Sequence, residues 1–217
     1  MTTTRALALF DFDGTITTRD TMFDFVRATR GPVRLALGLV ALSPWLVAHK
    51  LGLLGATPAK VLVLRWFFGG ESRETLARWG EAYVDRVEAL IRPGAARRLG
   101  WHVAAGHDVA VVSASLDLWV GAWARKRGLR LLCTEAAWDG DVFAGALGSA
   151  NCNGAEKERR IRAAFDVTAY ATVYAYGDSS GDAEMLALAT EPSFKPFRDD
   201  AAPAPAAAGP VPTDRAG

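Results

Sequence analysis

Cysteine is scarce in this chain: Cys133 and Cys152 are the two among 217 residues. They form no Cys-x-x-Cys pair and give no sign of an oxidising compartment. The three histidines, His49, His102 and His107, have no metal-ligand spacing and read as ordinary surface or core residues. Charge of one sign is also missing. Lys and Arg number 25 against 24 Asp and Glu, a net +1, so nothing points to nucleic acid as a partner. No secretory leader is expected, because the first apolar run is only Ala6–Phe10 and acidic residues follow it at once. A cytoplasmic location is the expectation. No internal repeat is evident. A long apolar run is absent too: the greasiest piece, Leu35–Val47, falls short of the ~20 residues of a spanning helix and contains Pro44.

What is present is a chain that is half hydrophobic and long enough for one α/β domain plus a small insert. Ala6–Phe10 suits a buried parallel strand. Asp11 and Asp13 stand at its end, followed by Gly14. Residues i and i+2 on a strand share a face, so two anions point at one spot. They repel unless a cation lies between them, and a hard ion such as Mg²⁺ prefers oxygen donors. The plain alternative is a strand ending in an acidic turn.

A polar loop with Asp20 as a helix cap leads to a helix over Met22–Thr29, ended by Gly31-Pro32. Val33–Leu54 is strongly apolar and is expected as two short helices joined near Ser43-Pro44, packed as a lid or touching lipid on one face. Thr57-Pro58 restarts a helix through Phe68, apolar nearly all round, with Lys60 and Arg65 as its cations. Ser72–Ile91 forms another helix. Further helices are expected over Ala95–Ala105, Leu118–Arg127, Ala155–Phe165 and Ala183–Ala189. Strands are expected over Val109–Val112, Leu131–Thr134 and Thr172–Tyr176, with a hairpin in Ala136–Leu147 and an edge strand at 193–197. The fold class is α/β, a doubly wound parallel sheet with an inserted all-helical cap. The division is a core of 1–19 and 92–198, a cap of 20–91 and a disordered tail of 199–217, rich in Ala, Pro and Gly.

Ligands of such sheets bind outside the carboxyl ends of the strands, where 11–17, 113–115 and 177–182 fall. Taken singly, Ser113 is a strand-end residue, Lys157 a helix lysine, and Asp178 and Asp182 loop and cap residues. Their order carries more. Asp-Phe-Asp-Gly-Thr-Ile-Thr (11–17), Val-Val-Ser-Ala-Ser (111–115), Lys157 and Gly-Asp-Ser-Ser-Gly-Asp (177–182) follow the four-motif order of the haloacid dehalogenase superfamily, which the chain resembles over about residues 5–187. A helical cap between the first two motifs, and Asn-Gly-Ala-Glu-Lys (153–157), are similar to its phosphoserine-phosphatase-like branch.

The resemblance implies a Mg²⁺-dependent phosphatase. Asp11 is then the nucleophile, forming an aspartyl-phosphate, and Asp13 the acid and base. Phe12, Asp13, Ser113, Ala114 and Lys157 hold phosphate. The metal set is Asp11, Asp13 through its carbonyl, and Asp178, with Asp182 holding a metal water or Lys157.

Substrate is less legible. In phosphoserine phosphatases an acidic residue after the first motif and a cap arginine read the amino-acid head; Asp20 and Arg65 are the candidates here. Trp45, Trp66, Phe67 and Phe68 pack the cap or line an apolar pocket. Small phosphates such as phosphoserine or histidinol phosphate, a lipid phosphate such as phosphatidylglycerophosphate with membrane contact through 33–68, a phosphotransferase, and a non-catalytic phosphate-binding module all stay open. Oligomeric state is not readable.

Overall fold

Strand β1, Ala6–Phe10, is buried along its whole length and forms the centre of the sheet. It is parallel to both neighbours, pairing Leu9 with Ala110 of β2 (Asp108–Leu116) and with Ala175 of β6 (Thr172–Gly177). Outside these lie β3 (Arg130–Thr134) and the edge strand β7 (Glu191–Phe194), giving a five-stranded parallel sheet of order β3-β2-β1-β6-β7. The computed structural model describes residues 5–198. The expected disorder of 199–217 therefore lies outside the described residues.

Alternation along β1 splits the core in two. Leu7 and Leu9 join Ile161 of α6 (Ala155–Ala164) and Met185 of α7 (Ala183–Ala187) on one face. Ala8 and Phe10 join a larger cluster on the other face, with Leu99 of α4 (Pro93–Ala104) and Trp119 and Trp123 of α5 (Asp117–Lys126). Helices on both faces make the sheet doubly wound.

Three helices precede α4 in the stretch between β1 and β2: α1 (Thr21–Lys50), α2 (Ala56–Phe68) and α3 (Arg73–Leu90). Asp20 caps α1 by accepting from the Met22 and Phe23 amides, and the Ser72 hydroxyl caps α3 at Thr75. The buried carboxylate of Asp24 accepts from both Arg86, through two nitrogens, and Tyr83, pinning α1 to α3. α3 also lies along α5, tied by Glu88 to Trp123 and Arg127. The antiparallel hairpin of β4 (Ala136–Asp139) and β5 (Val142–Leu147) packs on α2, and Phe143 exchanges main-chain hydrogen bonds with Gly70 and Glu71.

The structure corrects the expected join at Ser43-Pro44. The break in α1 is at Gly31 (φ 81°, ψ 163°), and the helix then runs on through Pro44 to Lys50. Pro44 has no N–H for the Val40 carbonyl, but the Ser43 hydroxyl donates to that carbonyl at 2.7 Å. The lost bond is replaced locally, and the helix continues. Two smaller differences concern length. β2 extends past Val112 to Leu116, with its pairing to β3 shifting between Ser113 and Leu116, and the edge strand begins at Glu191 rather than at 193.

Candidate active site

The main chain turns sharply after β1. Phe12–Ile16 forms one turn whose helical path is interrupted at Asp13 and Gly14. Gly14 has φ 82°, and a Cβ there would lie 2.6 Å from Asp178 Oδ2. Any larger residue at 14 meets both a backbone and a space penalty, so the carboxylate of Asp178 can sit directly against the turn.

That turn, the end of β2, the first turn of α6 and the loop after β6 surround one cavity of about 540 Å³. Asp11, Asp13, Ser113, Lys157 and Asp178 all line it. The Lys157 Nζ is buried and donates to Asp11 Oδ1 at 2.6 Å, Asp182 Oδ1 at 2.6 Å and the Val112 carbonyl at 2.8 Å. Burial alone pulls a lysine pKa down, but Asp11 and Asp182 outweigh it and hold Lys157 above the ordinary lysine value. Burial raises Asp11 to about 6 against the pull of Lys157. Burial opposes ionisation of Asp182 as well, yet Lys157 and the Ser179 amide and hydroxyl keep it below its ordinary value.

Asp13 is held differently. Its Oδ1 accepts from the Thr21 amide and hydroxyl, both at 2.7 Å, and its Oδ2 from the Ser115 hydroxyl. Burial, with the charges of Asp20 and Asp11, raises its pKa to about 7 in spite of those donors. A carboxyl near that value can both give and take a proton at neutral pH.

The donor set fits a hard divalent cation. Asp11, Asp178 and Asp182 each offer a carboxylate oxygen within 4.8 Å of the others. Both oxygens of Asp182 are engaged, one by Lys157 and one by the Asp178 and Ser179 amides and the Ser179 hydroxyl. Asp11 and Asp178 carry fewer donors: Lys157 on one oxygen of Asp11, and on Asp178 the Thr15 hydroxyl at 3.4 Å and Arg198. One oxygen of Asp178 is 2.9 Å from Arg198, so a positive charge already stands beside it.

Two expected phosphate contacts reach the site by main chain alone. The Phe12 side chain is in the core against Trp123, and Ala114 offers backbone whose carbonyl is taken by Lys60 and Thr134. Asp20 stands at the cavity edge. Arg65 does not line the cavity; it is exposed on the far side of α2. The cation that α2 does send in is Lys60, which donates to the Ala114 carbonyl and, at 3.0 Å, to Asn151. Burial lowers its pKa to about 8.

Sequence reasoning passed over Lys60, Thr21, Ser115 and Asn151 as site residues. Ser115 had a signal, since residues 113 and 115 of one strand share a face. Lys60 and Thr21 had none, because their place depends on how α1 and α2 sit over the sheet. Over the cavity, Met22, Phe23, Leu46, Ala59 and Val63 supply an apolar roof.

The profile described as haloacid dehalogenase-like hydrolase matches residues 8–187. The protein CicA of Caulobacter vibrioides is 36% identical over 200 residues, covering 88% of this chain and 86% of that protein. A crystal structure of a protein of unknown function from Bordetella pertussis Tohama I is similar, with a TM-score of 0.74 and 26% identity over 86% of this chain and 88% of that one. A phospho-aspartyl intermediate analogue of phosphoserine phosphatase shares the fold, with a TM-score of 0.61 and 17% identity over 85% of this chain and 83% of that one.

Proposed function

Because the chain belongs to the haloacid dehalogenase-like hydrolases, we propose that it is a cytoplasmic, Mg²⁺-dependent phosphatase. Its substrate is then a small phosphomonoester such as phosphoserine, cleaved through an aspartyl-phosphate on Asp11. The observation that carries this reading is the meeting of Asp11, Asp13, Ser113, Lys157 and Asp178 around one cavity at the carboxyl ends of the sheet. Residues 20–91 serve as the cap that roofs it.

In this reading an Asp11 oxygen attacks phosphorus in line with the leaving oxygen. The bond from phosphorus to that oxygen breaks, and Asp13 gives the leaving oxygen its proton. Asp13, now ionised, takes a proton from a water that attacks the same phosphorus, and the bond to Asp11 breaks. Lys157 keeps Asp11 ionised in spite of its burial and places a fixed cation beside the phosphoryl oxygens. The Ser113 hydroxyl, which accepts from the Ser115 amide at 3.0 Å, keeps its own proton for a phosphate oxygen. Mg²⁺ would be held by Asp11, Asp178 and the Asp13 carbonyl, and when bound would offset the repulsion between carboxylate and phosphate. Asp182 acts by holding Lys157.

At the cavity edge Asp20 and Lys60 present opposite charges, each felt by Asp13 or by one another. An ammonium facing Asp20 and a carboxylate facing Lys60 would suit an amino-acid head. Lys60 then takes the part first expected of Arg65.

Phosphate release from phosphoserine, histidinol phosphate, sugar phosphates and nucleotides, with Mg²⁺ and with EDTA, tests the reading. Metal-dependent release that Asp11→Asn abolishes is the expected result. Release unchanged by Asp11→Asn would remove the nucleophile. A second readout needs no turnover: Mg²⁺ should raise the melting temperature, by about 2.7 kcal/mol of stability at a hundredfold excess over its dissociation constant. Asp178→Asn should lose that gain.

A further inference from the structure

The second half of α1 is apolar on both sides. Leu35, Gly38, Leu42 and Leu46, spaced three or four apart, face inward. Gly38 lets the Phe67 ring of α2 approach closely. The opposite stripe, Val33, Leu37, Val40, Pro44, Val47 and Leu51, has the same spacing and faces solvent, with Val33 70% and Val40 73% exposed. Leu53, 79% exposed, continues this surface past the helix end. Trp66 of α2 extends it sideways, lining one shallow depression together with Leu37 and Arg34. An 18-residue window of α1 has mean hydropathy 1.5, and 11% of it is buried. A helix paired on one side has no folding reason to be apolar on the other.

Charge tells what covers it. Residues 25–70 contain six Lys and Arg and no Asp or Glu. The rest of the chain holds the other 19 cations and all 24 acids, a net −5, so the positive charge is concentrated in this segment. Arg27, Arg34, Lys50 and Arg65 are exposed and form no ion pair among the described residues. A second copy of this cap would bring like charges together. Membrane-surface helices combine an exposed apolar stripe with flanking Lys and Arg and a lack of acids.

We propose that the cap docks on an anionic phospholipid bilayer through the outer stripe of α1, Leu53 and Trp66, with Arg27, Arg34, Lys50 and Arg65 at the headgroups. The helix lies on the surface rather than spanning, because its inner stripe is committed to α2. Leu46 and His49 of the same helix line the catalytic cavity, so docking and substrate entry share one element. The docking does not depend on the phosphatase reading.

The test is sedimentation of the full chain with phosphatidylcholine vesicles, with and without one quarter phosphatidylglycerol. Binding to the anionic vesicles, weakened by salt, is expected. Val40→Glu with Leu53→Glu should abolish it, and Arg34→Glu with Lys50→Glu should cut the partition coefficient about tenfold or more. All four sites are exposed, so circular dichroism should be unchanged, and hydrolysis of a soluble phosphate reports separately on the catalytic reading. Equal sedimentation with and without vesicles would overturn the proposal. So would self-association that Val40→Glu disrupts without any vesicle binding, since the stripe would then join two copies. Retention of the protein in vesicles after alkaline carbonate extraction would replace surface docking with insertion.

Discussion

Thr21 gives the Asp13 carboxylate two hydrogen bonds, one from its amide and one from its hydroxyl, both at 2.7 Å. The same hydroxyl accepts from the Trp119 indole at 3.0 Å, and Ser115 donates to the other carboxylate oxygen. The first residue of α1 thereby fixes the orientation of the proposed proton donor, and Trp119 of α5 fixes that residue. Donors to the ionised form lower a carboxyl pKa. Ser115→Ala removes one and should raise the Asp13 pKa further above its value of about 7. The proton-donating form then persists to higher pH, and the alkaline limb of the kcat/KM profile should move up. An alkaline limb that stays put in Ser115→Ala, with unchanged kcat, would detach Asp13 from the acid–base role.

Lys157 satisfies two carboxylates at once, with Nζ 2.6 Å from each. Lys157→Met leaves Asp11 and Asp182 buried side by side without a counter-charge. Removing one partner of a buried ion pair typically costs about 3–5 kcal/mol. Turnover should vanish, and denaturant unfolding at pH 7 should register that loss. Part of it should return near pH 5, where Asp11, freed from Lys157 and pushed up by burial, binds a proton. A variant as stable as the parent at pH 7 would show that the lysine is not structurally coupled to the pair.

Lys60 is the cation that α2 places at the cavity, and burial lowers its pKa to about 8. The charge it offers an anionic substrate head is complete below that value and lost as pH rises through it. For a substrate carrying a carboxylate, KM should climb above pH 8 while kcat holds. Lys60→Arg should keep KM flat through the same range, because a guanidinium stays charged. Lys60→Met should raise KM at neutral pH by roughly tenfold or more, on the scale of a lost charged hydrogen bond. Identical KM profiles for all three proteins would place the substrate head elsewhere.

How much of this was legible in sequence depended on the range of the interaction. The run Ala6–Phe10 and the carboxylates that follow are local, and both the central strand and the acidic site could be read from them. So could the places of β2, β3 and β6 along the chain, since each holds a short apolar run bounded by turn residues. The rescue of Pro44 by Ser43 is local too, but a proline in an apolar run reads as a break unless the hydroxyl beside it is counted. Lys60 and Arg65 sit five residues apart on one helix, and nothing within the helix says which of them faces the sheet. That was decided by α2 packing Val63, Phe67 and Phe68 inward, which turns Arg65 out. Thr21 reaches Asp13 because α1 starts beside the end of β1, and Ser115 does so because β2 continues as a strand beyond Val112.

His102 is fully enclosed, with Nε2 2.9 Å from the Tyr176 hydroxyl and Nδ1 2.8 Å from Nδ1 of His107. Burial, with the nearby charges of His107 and Arg98, lowers its pKa to about 3. The folded protein therefore keeps this imidazole neutral where the unfolded chain, with a pKa near 6.5, takes up a proton. Below 6.5 the unfolded state binds more protons, so stability falls as pH falls, and the loss continues until the folded form also protonates near 3. The slope from this one group is about 1.4 kcal/mol per pH unit. Urea unfolding between pH 7 and pH 4 should show a steep acid decline, and His102→Gln, which keeps a donor toward Tyr176 but cannot titrate, should flatten it. His102→Gln should be less stable than the parent at pH 7, where the imidazole packs against Trp101 and Phe10, yet the two curves should converge as pH drops. Parallel curves would mean that acid sensitivity comes from other groups and that His102 is already compensated in the fold.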